Sequence, residues 1–571
     1  LINKRGVHNL VYRHMAQKTM YEDDKKRKSK YDTQYWLQYT KEKFEESRNW
    51  RGTNVELQWF VNYMYYKGYQ NLKYDRVTGT FVKDNRNPLT FYVNHTYMVC
   101  RAIRNAVIKT QPTWDVDALP YGQLDADTSR ILGEYLAFQY DKLGLEDKTN
   151  KALLYGLLYG LGIYQYGYDD RADNGEGNVW IEVLDPFDTY IDPYCTGIED
   201  ARYVVKVTSK PYELIVKNPN YDKKVVENLS TTSNLSESDY KNLILNNENN
   251  VANSGKNIIL HETWCVTEDG IRVITTANNE ILRNELTDFD KLPFEIYQPD
   301  INIGTIYGEG WVKNIVPLNK AINYLETSRL EYNILINKGR LLVPKGAGIK
   351  SVTNQNGEKI QYKQGFKPEF LPTPPMGSDV DKQLSSLNVY LQTIGAANEA
   401  FMGVTPTGIK SGIAIETLIA SNFNQLYDLV NNLSNTLARL GEDILKMGYK
   451  YQLLSKPFRT SEGDYWSVVG GEAQEDVERL MKTIQLPSNP EVKVRITSGV
   501  AHTKEGKRDI LMTLRAGGDV SRKTLLENLD IDAEEEQQRI DEEMLPQMPP
   551  EMGEIPGGMS AEAGMPEGMP V

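Results

Sequence analysis

The sequence predicts an α+β fold, mainly helical and built from several domains. Three observations carry this. Two helices with heptad periodicity, within residues 317–338 and 380–394, bracket a short insert of strands and turns. Two β-rich stretches, residues 163–208 and 257–298, come before them. One very long helical pattern, from about Ile413 to Leu454, comes after. A chain of 571 residues has room for roughly three or four domains and more than one hydrophobic core.

In chain order, the stretch to about residue 60 is polar with a helical rhythm, and its run DDKKRKSK (residues 23–30) reads as a solvated face or loop. Tyr97, Val99, Ala102, Ile103, Ala106 and Val107 recur at helical spacing. That helix should stop before Pro112, which cannot donate to it and restricts its predecessor. The segment TWDVDAL should follow as a strand, and two more helices should lie within residues 126–165. Gly156, Gly160 and Gly162 fit either close helix packing or the turn into a strand. IYQYGYDD and NVWIEVLD flank a turn-rich RADNGEG and predict a hairpin. Two Asp-Pro steps then enclose a short strand, followed by Tyr203–Val207. Residues 209–256 should hold short helices and a flexible, exposed Asn/Ser-rich loop. His261 and Cys265, four apart in a strand pattern, share a face and read as packed residues rather than a metal pair.

Pro317 suits the first helical position. The seam of that helix is Leu318, Ile322, Leu325, Arg329, Tyr332 and Ile336. The seam of the second is Val380, Leu384, Leu387, Leu391 and Ile394, and both follow alternating steps of four and three. Two such helices around a small β insert describe a helical stalk with a cap on its tip. Residues 403–412 form a Gly/Thr/Pro loop. The long helix after it would approach about 60 Å if straight. Residues 460–500 read as strand–helix–strand and 503–543 as helices, with Ser521 a natural N-cap. From Met544 the Pro, Gly, Met and Glu residues show no periodicity, which predicts disorder.

Composition narrows the function. Lys and Arg number 65 against 78 Asp and Glu, a net charge of −13. A protein that gripped duplex DNA by neutralising phosphates would be basic, so tight DNA binding is disfavoured; a surface that DNA slides past is not. Tyr outnumbers Phe, 36 to 13, which suits wet interfaces. Three scattered cysteines and five histidines rule out a disulfide framework and disfavour a metal site, and they fit a reducing compartment such as a cytoplasm. No secretory leader and no membrane span is expected.

Catalytic signatures are also missing. GVTPTGIKS (residues 403–411) is near a phosphate loop, but Ile409 separates Gly408 from Lys410 and no buried strand precedes it. Asp169, Asp170, Asp173 and Glu176 lack the alternation of a calcium loop. There is no HExxH, GxSxG or kinase set, and no carboxylate cluster of the kind a nuclease uses to hold metals. The composition favours a structural or assembly protein without a cofactor or catalytic residue.

Five stretches, in this order, resemble the portal proteins of tailed double-stranded DNA bacteriophages. They are NHTYMVCRAIRNAVIKTQPTWDV (94–116), VLDPFDTYIDPYCTGIEDARYVV (183–205), IYGEGWVKNIVPLNKAINYLETSRLEYNILINKGRLLVPKG (306–346), FMGVTPTGIKSGIAIETLIASN (401–422) and GGDVSRKTLLENLDIDAEEEQQRIDEE (517–543). The resemblance implies a ring, usually of twelve subunits, at one capsid vertex. It implies a portal fold with wing, stem, clip, tunnel-loop and crown regions around a channel for double-stranded DNA.

Carried over by position, residues 1–308 look like N-terminal helices and wing. Residues 309–340 and 377–402 look like the stem helices, and 341–376 like the clip. Residues 403–412 look like the tunnel loop, 413–500 like the kinked long helix and the return to the wing, 501–543 like the crown, and 544–571 like a tail. The implied channel residues are Gly403, Val404, Thr405, Pro406, Thr407, Gly408, Ile409, Lys410 and Ser411. Lys410 is the one cation there, either a transient phosphate contact or a solvated lysine. Arg329 is either an intersubunit ion-pair partner or channel-facing. The implied docking face of the clip presents Lys345, Lys350, Asn354, Asn356, Glu358 and Lys363. Implied partners are the terminase large subunit, head–tail adaptors, the major capsid protein and a scaffold protein, in a virion built in the host cytoplasm. The competing readings are another head–tail structural protein, or an oligomeric nucleic-acid enzyme.

Overall fold

The computed structural model of the chain describes residues 33–75, 80–83, 91–108, 113–118, 126–175, 177–232, 234–249, 257–337, 341–349, 361–371, 377–398, 418, 421–451, 453, 458–459, 465–470, 482–486 and 492–497. The chain divides into two units, Leu1–Val500 and Ala501–Val571, and everything described belongs to the first.

Two helices open it, α1 (Thr33–Asn54) and α2 (Glu56–Lys67). Trp36, Thr40, Phe44, Ser47 and Arg51 recur every three or four residues and form the buried stripe of α1. A hairpin follows, β1 (Leu72–Asp75) with β2 (Thr80–Lys83). Helix α3 (His95–Ile108) buries Val99, Cys100, Ile103 and Val107 and stops before Pro112, as its periodicity predicts. Strand β3 (Thr113–Ala118), α4 (Ala126–Lys142) and α5 (Leu145–Tyr159) come next.

The glycines after α5 serve both readings. Gly160 ends the helix at φ +75°, and a Cβ there would fall on the backbone of Gly308 and Glu309. Gly162 opens β4 (Gly162–Asp169), which pairs antiparallel with β5 (Asn178–Leu184), the expected hairpin; a short turn of helix, α6 (Ala172–Gly175), sits at its tip. Adding β11 (Phe294–Tyr297) to β4 completes a three-stranded sheet.

The second sheet has five antiparallel strands in the order β10–β9–β8–β7–β6: β6 (Thr189–Ile191), β7 (Tyr203–Pro211), β8 (Asn257–Thr267), β9 (Gly270–Ala277) and β10 (Glu280–Leu286). Helix α1 lies across it, with the Phe44 ring 4.8 Å from Tyr190 and 4.7 Å from His261. Cys265 is buried on the same side with Trp36 and Ile274, so His261 and Cys265 are packing residues. The main core lies between α2–α5 and the three-stranded sheet, where Trp59, Phe60, Leu157, Tyr164 and Phe294 are almost fully buried.

Residues 209–256 hold the expected short helices, but part of the expected loose loop is docked. The helices are α7 (Tyr212–Val216), α8 (Lys223–Val226) and α9 (Asp239–Asn249). Ser236, Ser238 and Ile244 are buried, and Lys241 Nζ reaches Asp185 Oδ2 at 2.8 Å and also Asp188. Its composition hid this because the anchors are polar: Ser238 donates to Glu56 Oε2 at 3.1 Å and Ser236 to Asp188 Oδ1 at 2.7 Å.

Helices α10 (Val316–Asn337) and α11 (Ser378–Ile394) pack on each other, joined by a two-stranded ribbon of β12 (Leu341–Leu342) and β13 (Glu369–Phe370). Val316 starts α10, so Pro317 sits one residue inside it. Helix α11 is shorter than the 377–402 region: it stops at Ile394, and Ala396 takes φ +48°. The long helix bends at Leu426, where the helical hydrogen bonds to Asn422 and from Val430 persist. Residue 418 and residues 421–425 are helical, Leu426 is a turn, and α12 runs Tyr427–Lys450, 24 residues; the rest of 413–420 lies outside the described residues.

Strands β14 (Phe458–Arg459), β15 (Tyr465–Gly470) and β16 (Lys482–Leu486) form a third sheet. β15 and β16 run parallel, which requires a crossover; residues 471–481 between them lie outside the described residues. β17 (Val492–Thr497) returns across the chain to pair with β3.

Candidate assembly site: the root and exposed ends of two helices

The chain enters α10 under tight steric constraint. A Cβ on Gly308 would strike Gly160 O, and one on Gly310 would strike Leu158 O. The C-terminal end of α5 and the residues before α10 are therefore in backbone contact, which only glycine allows. A short 3-10 turn, Trp311–Asn314, then leads into the helix.

Polar side chains hold the root of α10. Asn319 Oδ1 accepts from the Thr96 backbone N–H at 3.1 Å and from the Thr96 hydroxyl at 3.2 Å. Asn319 Nδ2 donates to Val93 O at 3.0 Å and to Gln70 Oε1 at 3.1 Å. One turn on, Asn323 Oδ1 accepts from the Val93 N–H at 2.9 Å and Nδ2 donates to Gln70 Oε1. A further turn on, Thr327 donates to Phe91 O at 2.8 Å. Gln70 Nε2 donates to Tyr65 O and Asn94 Oδ1, each at 3.1 Å. Asn319 and Asn323 are fully buried, so a satisfied amide network fixes the rotation and register of the helix.

The predicted seam is only half used. Ile322 is buried and Leu318 and Leu325 pack on the main core. On α11, Leu384 and Leu391 are buried while Val380 and Leu387 are partly so. Tyr332 is half-buried, and Ile336 and Ile394 are exposed. Within its own chain Arg329, about half exposed, lies 3.6 Å from Asp381 on α11 and 3.9 Å from Glu326.

Beyond the root, apolar residues stand in the open. Ile334, Leu335 and Ile336 are three successive exposed residues at the end of α10. Val389 and Tyr390 on α11, and Leu342, Val343, Tyr362, Phe366 and Phe370 in and beside the ribbon, are also exposed. Three consecutive helical positions point about 100° apart, so no single partner helix covers them all. Lys345 and Lys363 are exposed near this ribbon. Lys350, Asn354, Asn356 and Glu358 lie outside the described residues, as do Gly403–Ser411 with Lys410.

Buried charges fasten the rest. Arg51 is fully enclosed; it donates to Glu56 Oε1 at 2.7 Å and to the backbone oxygens of Pro186, Phe187 and Thr189, and its guanidinium lies 3.6 Å from the Tyr190 ring centroid. Burial works against its charge, but Tyr190, Glu56 and Tyr307 outweigh that and push its pKa up. Burial would likewise raise the Asp192 carboxyl, yet hydrogen bonds from Arg202 and two backbone amides hold it below the usual range. On α12, Asp443 Oδ2 is 2.9 Å from Lys291 Nζ, which also reaches Glu295 Oε1 at 2.8 Å; Arg439 donates to the other Glu295 oxygen at 2.8 Å. Burial pushes Asp443 up to about 6, Lys291 opposing and Glu295 adding to it.

Among the described residues there is no cluster of His, Cys, Asp or Glu able to hold a metal ion, and no helix long and apolar enough to cross a membrane. The parts that sequence reasoning missed are polar: Gln70, Asn319, Asn323, Thr327, Arg51 and Lys241. For the α10 root a signal existed, because Asn319, Asn323 and Thr327 repeat every four residues beside the apolar seam.

A family model described as phage SU10 portal protein matches residues 162–469. The chain belongs to that family. The match covers more than half of the sequence and runs from the first strand of the three-stranded sheet through both heptad helices into β15. No curated protein matches the sequence. Phage portal proteins are a structural family, and membership implies a place in the virion capsid.

Proposed function

We propose that this portal protein assembles as a ring, of twelve subunits as the family resemblance implies, around a channel at one capsid vertex. Double-stranded DNA passes through it without sequence recognition, inward during packaging and outward during ejection. The terminase large subunit docks on the clip and supplies the energy; head–tail adaptors replace it, while coat and scaffold proteins meet the wing. In this reading α10 and α11 are the stem, residues 341–376 the clip, 403–412 the tunnel loop and 501–543 the crown.

The observation that carries it is the exposed apolar end of α10 with its neighbours on α11 and the ribbon. A soluble monomer seldom exposes such a concentration of large apolar residues, whereas a ring gives each stem a neighbour on either side. The net charge of −13 suits a channel that repels phosphates and does not hold moving DNA. Negative-stain electron microscopy of the purified chain tests this: rings with a central hole are expected, and a compact particle without a channel would overturn it. In assembled capsids, Lys410→Ala then asks whether the loop cation slows packaging.

A further inference from the structure

Two unlike surfaces flank the root of α10. The first is the loop before the helix. Ile303 is 97% exposed and Ile301 70%, and the loop turns at Gly304, φ +80°. Its shape is fixed from within: Gln298 donates to Ile306 O, Asn302 donates to Tyr307 O at 3.1 Å, and Ile306 N–H donates to Cys195 O at 3.0 Å. That last bond brings Tyr194, also 70% exposed, to the same side. Exposed acids, Glu199, Asp200 and Asp300, lie in the same two segments.

The second surface is the segment the α10 network grips from behind. Phe91, Tyr92, Tyr97 and Met98 are all exposed, while Val93 and Thr96 between them face Asn319 and Asn323. Tyr97 also lies against Tyr66 with ring centroids 5.4 Å apart. Here the exposed charges nearby are basic: Lys67, Arg101 and Lys320. The first surface joins Ile301, Ile303 and Tyr194 to more acids than bases, with Arg202 lying over the Tyr194 ring; the second is aromatic and basic.

We propose that the Ile301–Gly304 loop of one subunit docks on the Phe91–Met98 surface of the next copy of this chain. A closed ring needs a head-to-tail contact between two different patches, and these two differ in the complementary way. Both adjoin the entry to α10: the loop lies in the segment that leads into the helix, and the aromatic surface lies on the stretch held by its Asn319, Asn323 and Thr327. The contact rests on the ring reading above and names where the ring is welded below the stem.

The test is cross-linking in the assembled full-length ring. The three native cysteines, Cys100, Cys195 and Cys265, are buried, so Ile303→Cys with Met98→Cys introduces the accessible thiols. A bifunctional maleimide should give a ladder of covalent oligomers from the double variant, and neither single variant should give one. Ile303→Asp should reduce the assembled fraction at least tenfold without changing the circular dichroism of the monomer. Wild-type rings seen by microscopy, with no ladder and undiminished assembly of Ile303→Asp, would overturn the docking and leave the ring standing. A wild-type chain that forms no ring would overturn both.

Discussion

Arg51 shows how much one side chain organises. It closes α1 onto the segment between the two sheets by donating to the backbone oxygens of Pro186, Phe187 and Thr189. Arg51→Ala would strip a donor from each of those oxygens and leave the buried Glu56 carboxylate without its counter-charge, so we expect a loss of about 3–5 kcal/mol, read from chemical denaturation. Asp443 gives the opposite kind of prediction. Its pKa lies at about 6 in the fold against 3.8 as the ordinary value, so the folded state binds the proton more tightly. The stability it contributes is complete below about pH 4 and is lost as pH rises through about 6, up to roughly 3 kcal/mol. Asp443→Asn should flatten stability between pH 4 and 7; an unchanged slope would mean that another group sets it.

At the scale of elements, the amide network decides how α10 stands on the body. Asn323→Leu would orphan the Val93 N–H and remove one of the two donors to Gln70 Oε1, leaving that of Asn319, which should cost about 1–3 kcal/mol. It should also loosen protection of the α10 amides in hydrogen exchange, whereas Ser385→Ala on the exposed face of α11 should do neither. The same network explains what was legible in the sequence. Periodicity located α10, α11 and α3 because apolar burial repeats with the helix, and Asp-Pro and Gly marked the turns around β6 and β4. It missed the docked segment 234–249 and the α10 root because there the buried groups are Ser, Lys and Asn, which composition assigns to solvent. The kink at Leu426 had no such signal: the apolar spacing and the backbone hydrogen bonds to Asn422 and from Val430 continue through it, with no Pro or Gly to announce it. The site was legible only in part. Leu318, Ile322 and Leu384 pack as the heptads predict, but a heptad describes one face, and Ile334–Ile336 expose more than one.

At the scale of the whole molecule, that excess decides between a monomer and an assembly. Ile334, Leu335 and Ile336 contribute little to the fold of their own chain, since each is about 40–45% exposed. Their partners must come from outside the described chain if the ring reading holds. Ile334→Asp together with Ile336→Asp should therefore leave the unfolding midpoint of the isolated subunit within about 0.5 kcal/mol of wild type. In an assembly, the same two carboxylates would be buried against neighbouring apolar surface without a counter-charge, which is costly enough to forbid closure. Mass photometry should then show wild-type rings and a variant confined to subunits or short open arcs. A variant that assembles as well as wild type would mean that the stem ends face the channel or solvent, and that the ring is held at the root of α10 alone.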